Sequence, residues 1–102
     1  MEELYEIAFN VIMHAGDSKS YSMEAVACAE KGDFEGAEEK LKLADEELKA
    51  AHETQTDLLQ QEALGNKTEL SLLMVHAQDH YAMAQSQRDV SGQLIRLYRR
   101  LQ

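Results

Sequence analysis

Two imidazoles and a carboxylate fall within about one and a third helical turns in Val75-His76-Ala77-Gln78-Asp79-His80. His76 and Asp79 are i,i+3 and His76 and His80 are i,i+4, so a helix would put all three on one face. A packed face rarely carries three titratable groups, because burying them without partners costs free energy. Several chemistries fit the residue types. A neutral imidazole is a good nucleophile near pH 7, and a labile phosphohistidine suits a carrier that must give the group away. Gln78 and His80 could then donate to the phosphoryl oxygens. The chain has no phosphate-cradling glycine loop, so a phosphorylated protein, not a nucleotide, would be the donor. His76-x-x-Asp79-His80 also nearly matches the inverted zinc-hydrolase motif H-x-x-E-H, with Asp for Glu. The shorter Asp would not reach a zinc-bound water as Glu does, and neither His14 nor His52 has the local spacing of a third ligand. A further reading is a non-catalytic adaptor or metal-binding helical bundle, in which the histidines are hydrogen-bonded structural groups.

The elements that must position this cluster are helical. The 102 residues include no proline and only 6% aromatics, and good helix formers dominate. The length suits one domain over residues 1–102, whose small core makes oligomerisation a natural remedy. The net charge of -9 argues against nucleic acid and against an anionic membrane surface as partners. The single cysteine, Cys28, lies among alanines and reads as a small buried apolar residue. No secretory signal or spanning segment is evident, so the expected location is the cytoplasm, without membrane insertion.

Two sites punctuate the chain. At Lys31-Gly32-Asp33-Phe34, Gly32 suits the left-handed position after a helix and Asp33 the N-cap of the next. At Gly65-Asn66-Lys67-Thr68, Gly65 ends a helix and Thr68 can cap another. Helices are therefore expected at about 2–31, 34–64 and 68–101, in an antiparallel all-α three-helix bundle. Gly16 inside the first helix suggests a close crossing or a local bend.

The second helix carries one apolar stripe, Phe34, Ala37, Leu41, Ala44, Leu48, Ala51, Gln55, Leu58, and its charged residues read as a solvated face and nothing more. The third carries two stripes. One runs Leu70, Leu73, Ala77, Tyr81, Ala84, then Ile95 and Tyr98. The other runs Leu72, His76, Asp79, Met83, Ser86, Val90, Gln93, Leu97. A helix with two stripes packs on two sides, and the second stripe wants copies of itself. In a symmetric trimer three Asp79 carboxylates would converge, which demands raised pKa values or a hard cation such as Mg²⁺ or Ca²⁺ between them. Ser86, Ser91 and Gly92 are small or polar where such a seam would prefer Leu or Ile, which weakens it, and three copies at -9 each bring like charge together, so the assembly is expected to loosen at low ionic strength or without metal.

Nearly the whole chain resembles the IIA component of the lactose/cellobiose (N,N′-diacetylchitobiose) class of the bacterial phosphoenolpyruvate-dependent sugar phosphotransferase system. The resemblance runs through Ala15-Gly16-Asp17-Ser18-Lys19-Ser20, Ala29-Glu30-Lys31-Gly32-Asp33-Phe34, Ala51-His52-Glu53-Thr54-Gln55-Thr56, Glu62-Ala63-Leu64-Gly65, the His76 segment and Leu94-Ile95-Arg96-Leu97-Tyr98. It implies a homotrimer with the third helices around the axis and a phosphorylated histidine at His76, with Gln78 and His80 beside it. It also implies a divalent cation, Mg²⁺ foremost, held by three copies of Asp79, and no nucleotide or organic cofactor. The implied donor is the phosphorylated histidine phosphocarrier protein HPr, and the implied acceptor is a cysteine of the cognate IIB component. Val75 and Met83 are the candidate rim contacts for these partners. The implied role is uptake of a β-linked disaccharide, with lactose, cellobiose, chitobiose and other β-glucosides all open.

Overall fold

The computed structural model describes residues 2–102 and is all-α. Met1, the first residue of the expected domain, lies outside the described residues. Helix α1 spans Glu2–Glu30, α2 Phe34–Ala63 and α3 Leu72–Arg100. The first reversal is the expected one. Gly32 takes φ 82°, Asp33 N donates to Cys28 O at 2.9 Å, and the Asp33 carboxylate caps α2 by accepting from Gly36 N at 2.9 Å.

The second reversal differs from expectation. Gly65 does end α2, with φ 96°. The cap of α3, however, is Ser71, whose extended backbone lets Oγ accept from Met74 N at 3.1 Å. Thr68 and Ser71 both carry capping hydroxyls; Ser is the better cap by type, and residues 66–70 form no regular element, so α3 begins four residues later than position 68.

At 1.5 Å per residue each helix is about 45 Å long, and the protein measures 53 × 22 × 18 Å. One core cluster joins Ala8 and Val11 of α1, Ala51 of α2, and Met74, Ala77 and Tyr81 of α3. The other joins Ala25 and Ala29, Ala37 and Leu41, and Ile95. The early part of α1 thus meets the late part of α2 and the early part of α3. The bundle runs up, down, up, with α1 and α3 parallel. Alanine dominates the fully buried set, and Ser18, Ser22 and Ser91 are buried with it. Small side chains let the helix backbones approach closely. Helix α1 packs extensively against both others, whereas α2 and α3 share a much narrower line of contact.

Polar bonds fill the flanks of α2 at heptad spacing. Toward α1, Lys40 pairs with Glu24 at 3.5 Å, Glu47 with His14, and Thr54 donates to Asn10 at 3.1 Å. Toward α3, Glu38 pairs with Arg99 at 3.2 Å, Asp45 takes a two-pronged bond from Arg88, and His52 meets the Tyr81 hydroxyl at 2.9 Å. These charges are therefore more than a solvated face. The Asp45 hydrogen bond holds the Arg88 guanidinium above its already high value. Gly16 needs no close crossing within the chain, because a Cβ there would meet nothing within 4 Å. Among the described residues no helix is long and apolar enough to cross a membrane.

Candidate functional site

His76 is the fifth residue of α3 and His80 stands one turn on. Their Nε2 atoms are 3.1 Å apart. The rings meet edge to face, with centroids 4.5 Å apart and planes at 88°. One nitrogen therefore donates an N–H and the other accepts it with its lone pair. His76 is exposed and His80 half-buried, so the pair is open to an approaching group.

His76 belongs to the stripe that the chain leaves uncovered, and His80 flanks it. Leu72, His76, Asp79, Met83, Ser86, Val90, Gln93 and Leu97 are all exposed, while Ala77, Tyr81, Ala84 and Ile95 of the opposite stripe are buried. Ser91 and Gly92 correct the seam read from sequence. Both are buried. Ser91 continues the inner stripe at heptad distance from Ala84 and Gly92 lies beside it beneath the Arg88 side chain, so of the three small or polar positions only Ser86 lies outside. On α1, Phe9 and Met13 are more than half exposed, at 59% and 55%. They lie level with His76, because their neighbours Ala8 and Val11 pack with Met74 and Ala77. Val75 and Met83 are also about half exposed, which is compatible with a rim. Lys19 of α1 joins Met83, Ser86, Gln87 and Val90 around a hollow of about 300 Å³, placing a cation on this face.

Asp79 is exposed, and among the described residues it makes no salt bridge or side-chain hydrogen bond. Asp79 is the one carboxylate on this stripe, and an unpartnered carboxylate has the donor chemistry of a ligand to a hard cation. Gln78 is placed elsewhere. Two residues past His76 is about 200° around a helix, and Gln78 accepts a hydrogen bond from Gln55 Nε2 across the α2–α3 line. There it borders a groove of about 480 Å³ with Leu58, Leu59 and Met74. The chain thus brings His76 and His80 together and sets Gln78 on the other side of α3.

His14, His52 and Gln55, which the sequence marks as structural and not as part of the site, are structural here. All three tie helices together, through Glu47, Tyr81 and Gln78. The signal for two of these ties was the heptad repeat of polar residues at 38, 45, 52 and at 40, 47, 54. Burial also pushes the Tyr81 phenol above 10.0, its ordinary value.

A small all-helical subunit, with a histidine pair on a face that its own fold leaves open, is the class that fold and site define. The family model for the PTS system, lactose/cellobiose-specific IIA subunit, matches residues 6–99, and the chain belongs to that family. The lichenan-specific phosphotransferase enzyme IIA component of Bacillus subtilis (strain 168) is 49% identical over 100 residues, covering 98% of this chain and 91% of that protein. The crystal structure of the PTS cellobiose-specific enzyme IIA from Bacillus anthracis superposes with a TM-score of 0.92 at 40% identity, over 94% of this chain and 88% of that one. The Escherichia coli IIA(chitobiose), solved in solution in complex with HPr, matches with a TM-score of 0.85 at 33% identity, over 99% and 98% of the two chains.

Proposed function

We propose that this IIA component is a cytoplasmic phosphocarrier in which His76 accepts a phosphoryl group from phospho-HPr and passes it to a cysteine of the cognate IIB component. The uptake of a β-linked disaccharide would draw on this relay. The observation that carries the reading is the exposed His76 imidazole, with its Nε2 facing His80 Nε2 at 3.1 Å.

The proposed chemistry assigns the roles. His76 must present a lone pair at Nε2, so its proton sits on Nδ1 and His80 is the donor of the shared hydrogen bond. In-line attack forms the bond from His76 Nε2 to phosphorus while the donor's nitrogen–phosphorus bond breaks. The His80 N–H then turns to a phosphoryl oxygen, a charge-assisted bond stronger than the one it replaces. A thiolate of IIB attacks phosphorus in the second step, and His76 Nε2 leaves with its lone pair. Catalysis on this side is positioning and charge stabilisation. The open face bearing Val75, Met83, Phe9 and Met13 supports a docking rim, and it equally supports packing of chain copies into a homotrimer with α3 around the axis. In that assembly three Asp79 carboxylates would hold a divalent cation, Mg²⁺ foremost, which would neutralise their mutual repulsion.

The test is intact mass after incubation with phosphoenolpyruvate, enzyme I and HPr. One acid-labile phosphoryl group is expected on the wild type and none on His76→Ala, with unchanged helical circular dichroism. Labelling of His76→Ala, or no labelling of the wild type beside charged HPr, would refute the reading. For the axial site, Asp79→Leu should remain associated in sedimentation and lose its divalent ion.

A further inference from the structure

The arrangement of His76 and His80 also has the dimensions of a chelate. Transition-metal ions such as zinc bind imidazole nitrogen at about 2.0–2.1 Å. One ion at that distance from two nitrogens 3.1 Å apart subtends an N–metal–N angle of about 95–102°. That value lies between the right angle of an octahedral or square-planar pair and the tetrahedral angle. The helix already supplies the approach, so binding orders little that is not ordered. Histidine χ2 is soft, and a modest turn brings both lone pairs onto one point. Neither Nδ1 takes part in a side-chain hydrogen bond among the described residues, so both rings can carry N–H there, as metal-bound imidazoles do. His14 and His52, in contrast, already spend Nδ1 on Glu47 and Tyr81.

We propose that His76 and His80 form a two-imidazole site for a divalent transition metal of the zinc class, and that this ion and a phosphoryl group on His76 exclude one another. Both need the same Nε2 lone pair. Water completes the coordination shell, because the face is open. The site differs in kind from an axial carboxylate site. Imidazole suits zinc, copper and nickel, whereas Mg²⁺ demands oxygen. The exclusion rests on the reading of His76 as the phosphorylated residue; the chelate does not.

The experiment is calorimetric titration of the assembled protein with Zn²⁺ in the presence of Mg²⁺, alongside the imidazole proton spectrum. One ion per chain is expected, with shifts confined to the His76 and His80 resonances. His76→Ala and His80→Gln should each weaken binding about tenfold or more. Asp79→Asn should bind Zn²⁺ as the wild type does. Zinc-loaded protein, freed of excess metal, should take up no phosphoryl group from charged HPr until a chelator is added, whereas the rate of His80→Gln should be indifferent to zinc. Undiminished binding by His76→Ala or His80→Gln, or shifts centred on His14 or His52, would overturn the site. Uptake by zinc-loaded wild type at the metal-free rate would overturn the exclusion. If metal-free protein takes up no phosphoryl group, the carrier reading fails, and the titration still decides the chelate.

Discussion

The Gln55–Gln78 bond offers a sharp check on where the functional face of α3 lies. Gln78 stands two residues from the proposed phosphorylated histidine, yet its side chain accepts from Gln55 of α2. Both residues are half-buried. Water can reach either amide once its partner is gone, so truncation should cost the net value of a neutral hydrogen bond, about 1 kcal/mol, without a large desolvation penalty. For a chain near 100 residues that is a fall in Tm of about 4–8 °C. Because the bond is shared, the double variant Gln55→Ala with Gln78→Ala should cost no more than either single one. The coupling is then about 1 kcal/mol, well above the roughly 0.3–0.5 kcal/mol scatter of independent sites. The assay is a double-mutant cycle by urea unfolding at matched protomer concentrations, with single-turnover phosphoryl uptake measured on the same proteins. Both single variants should change uptake alike and little. Additive stability losses, together with an uptake defect of about tenfold or more (roughly 1.4 kcal/mol) in Gln78→Ala alone, would refute the placement and put Gln78 on the transferred group.

Ile95, 1% exposed, is the largest fully buried side chain. Ile95→Ala should cost about 2–5 kcal/mol in urea unfolding, and a loss under about 1 kcal/mol would remove it from the core. Gly16→Ala should stabilise the chain by about 0.5–1 kcal/mol, since the new Cβ meets nothing within 4 Å; a measured loss would place another chain against that position. Because burial raises the Tyr81 pKa, the folded state holds this proton longer than the unfolded state does. Stability conferred by the neutral phenol is complete below pH 10 and is lost as pH rises through the higher folded value. Tyr81→Phe should flatten the alkaline limb of a stability-against-pH curve, and an unchanged slope would assign that limb to other groups.

Much of this organisation was legible in residue spacing. The apolar stripe of α2 and the two stripes of α3 follow from 3–4 alternation, and the exposed face is the stripe that no helix of the chain covers. The Asp33 cap and Gly32 turn were equally readable, because few residue types serve there. The start of α3 was not, since Thr68 and Ser71 offer the same chemistry and the choice depends on how the loop spans the bundle end. Ser91 and Gly92 fall on the covered side of α3, Gly92 beneath the Arg88 and Arg96 side chains, and small residues suit such a covered position as well as a seam between subunits. The cross-links from His14, His52 and Gln55 depend on which helix lies beside each flank. Local periodicity cannot supply that, although the repeat of polar residues along α2 hinted at it.

The alanine-rich interior has a consequence for how this chain can diverge. Ala8, Ala15, Ala25, Ala29, Ala37, Ala44, Ala51, Ala77 and Ala84 are all essentially inaccessible. Such positions admit almost no drift, because a larger side chain must force two helices apart and glycine weakens the helix that carries it. Sequence change is channelled instead to the outer stripe and the α1 face beside it, where no internal contact is at stake. On the proposed reading the docking surface can therefore be rewritten around His76 while the scaffold beneath stays the same, which is a route by which duplicated chains come to serve different partners.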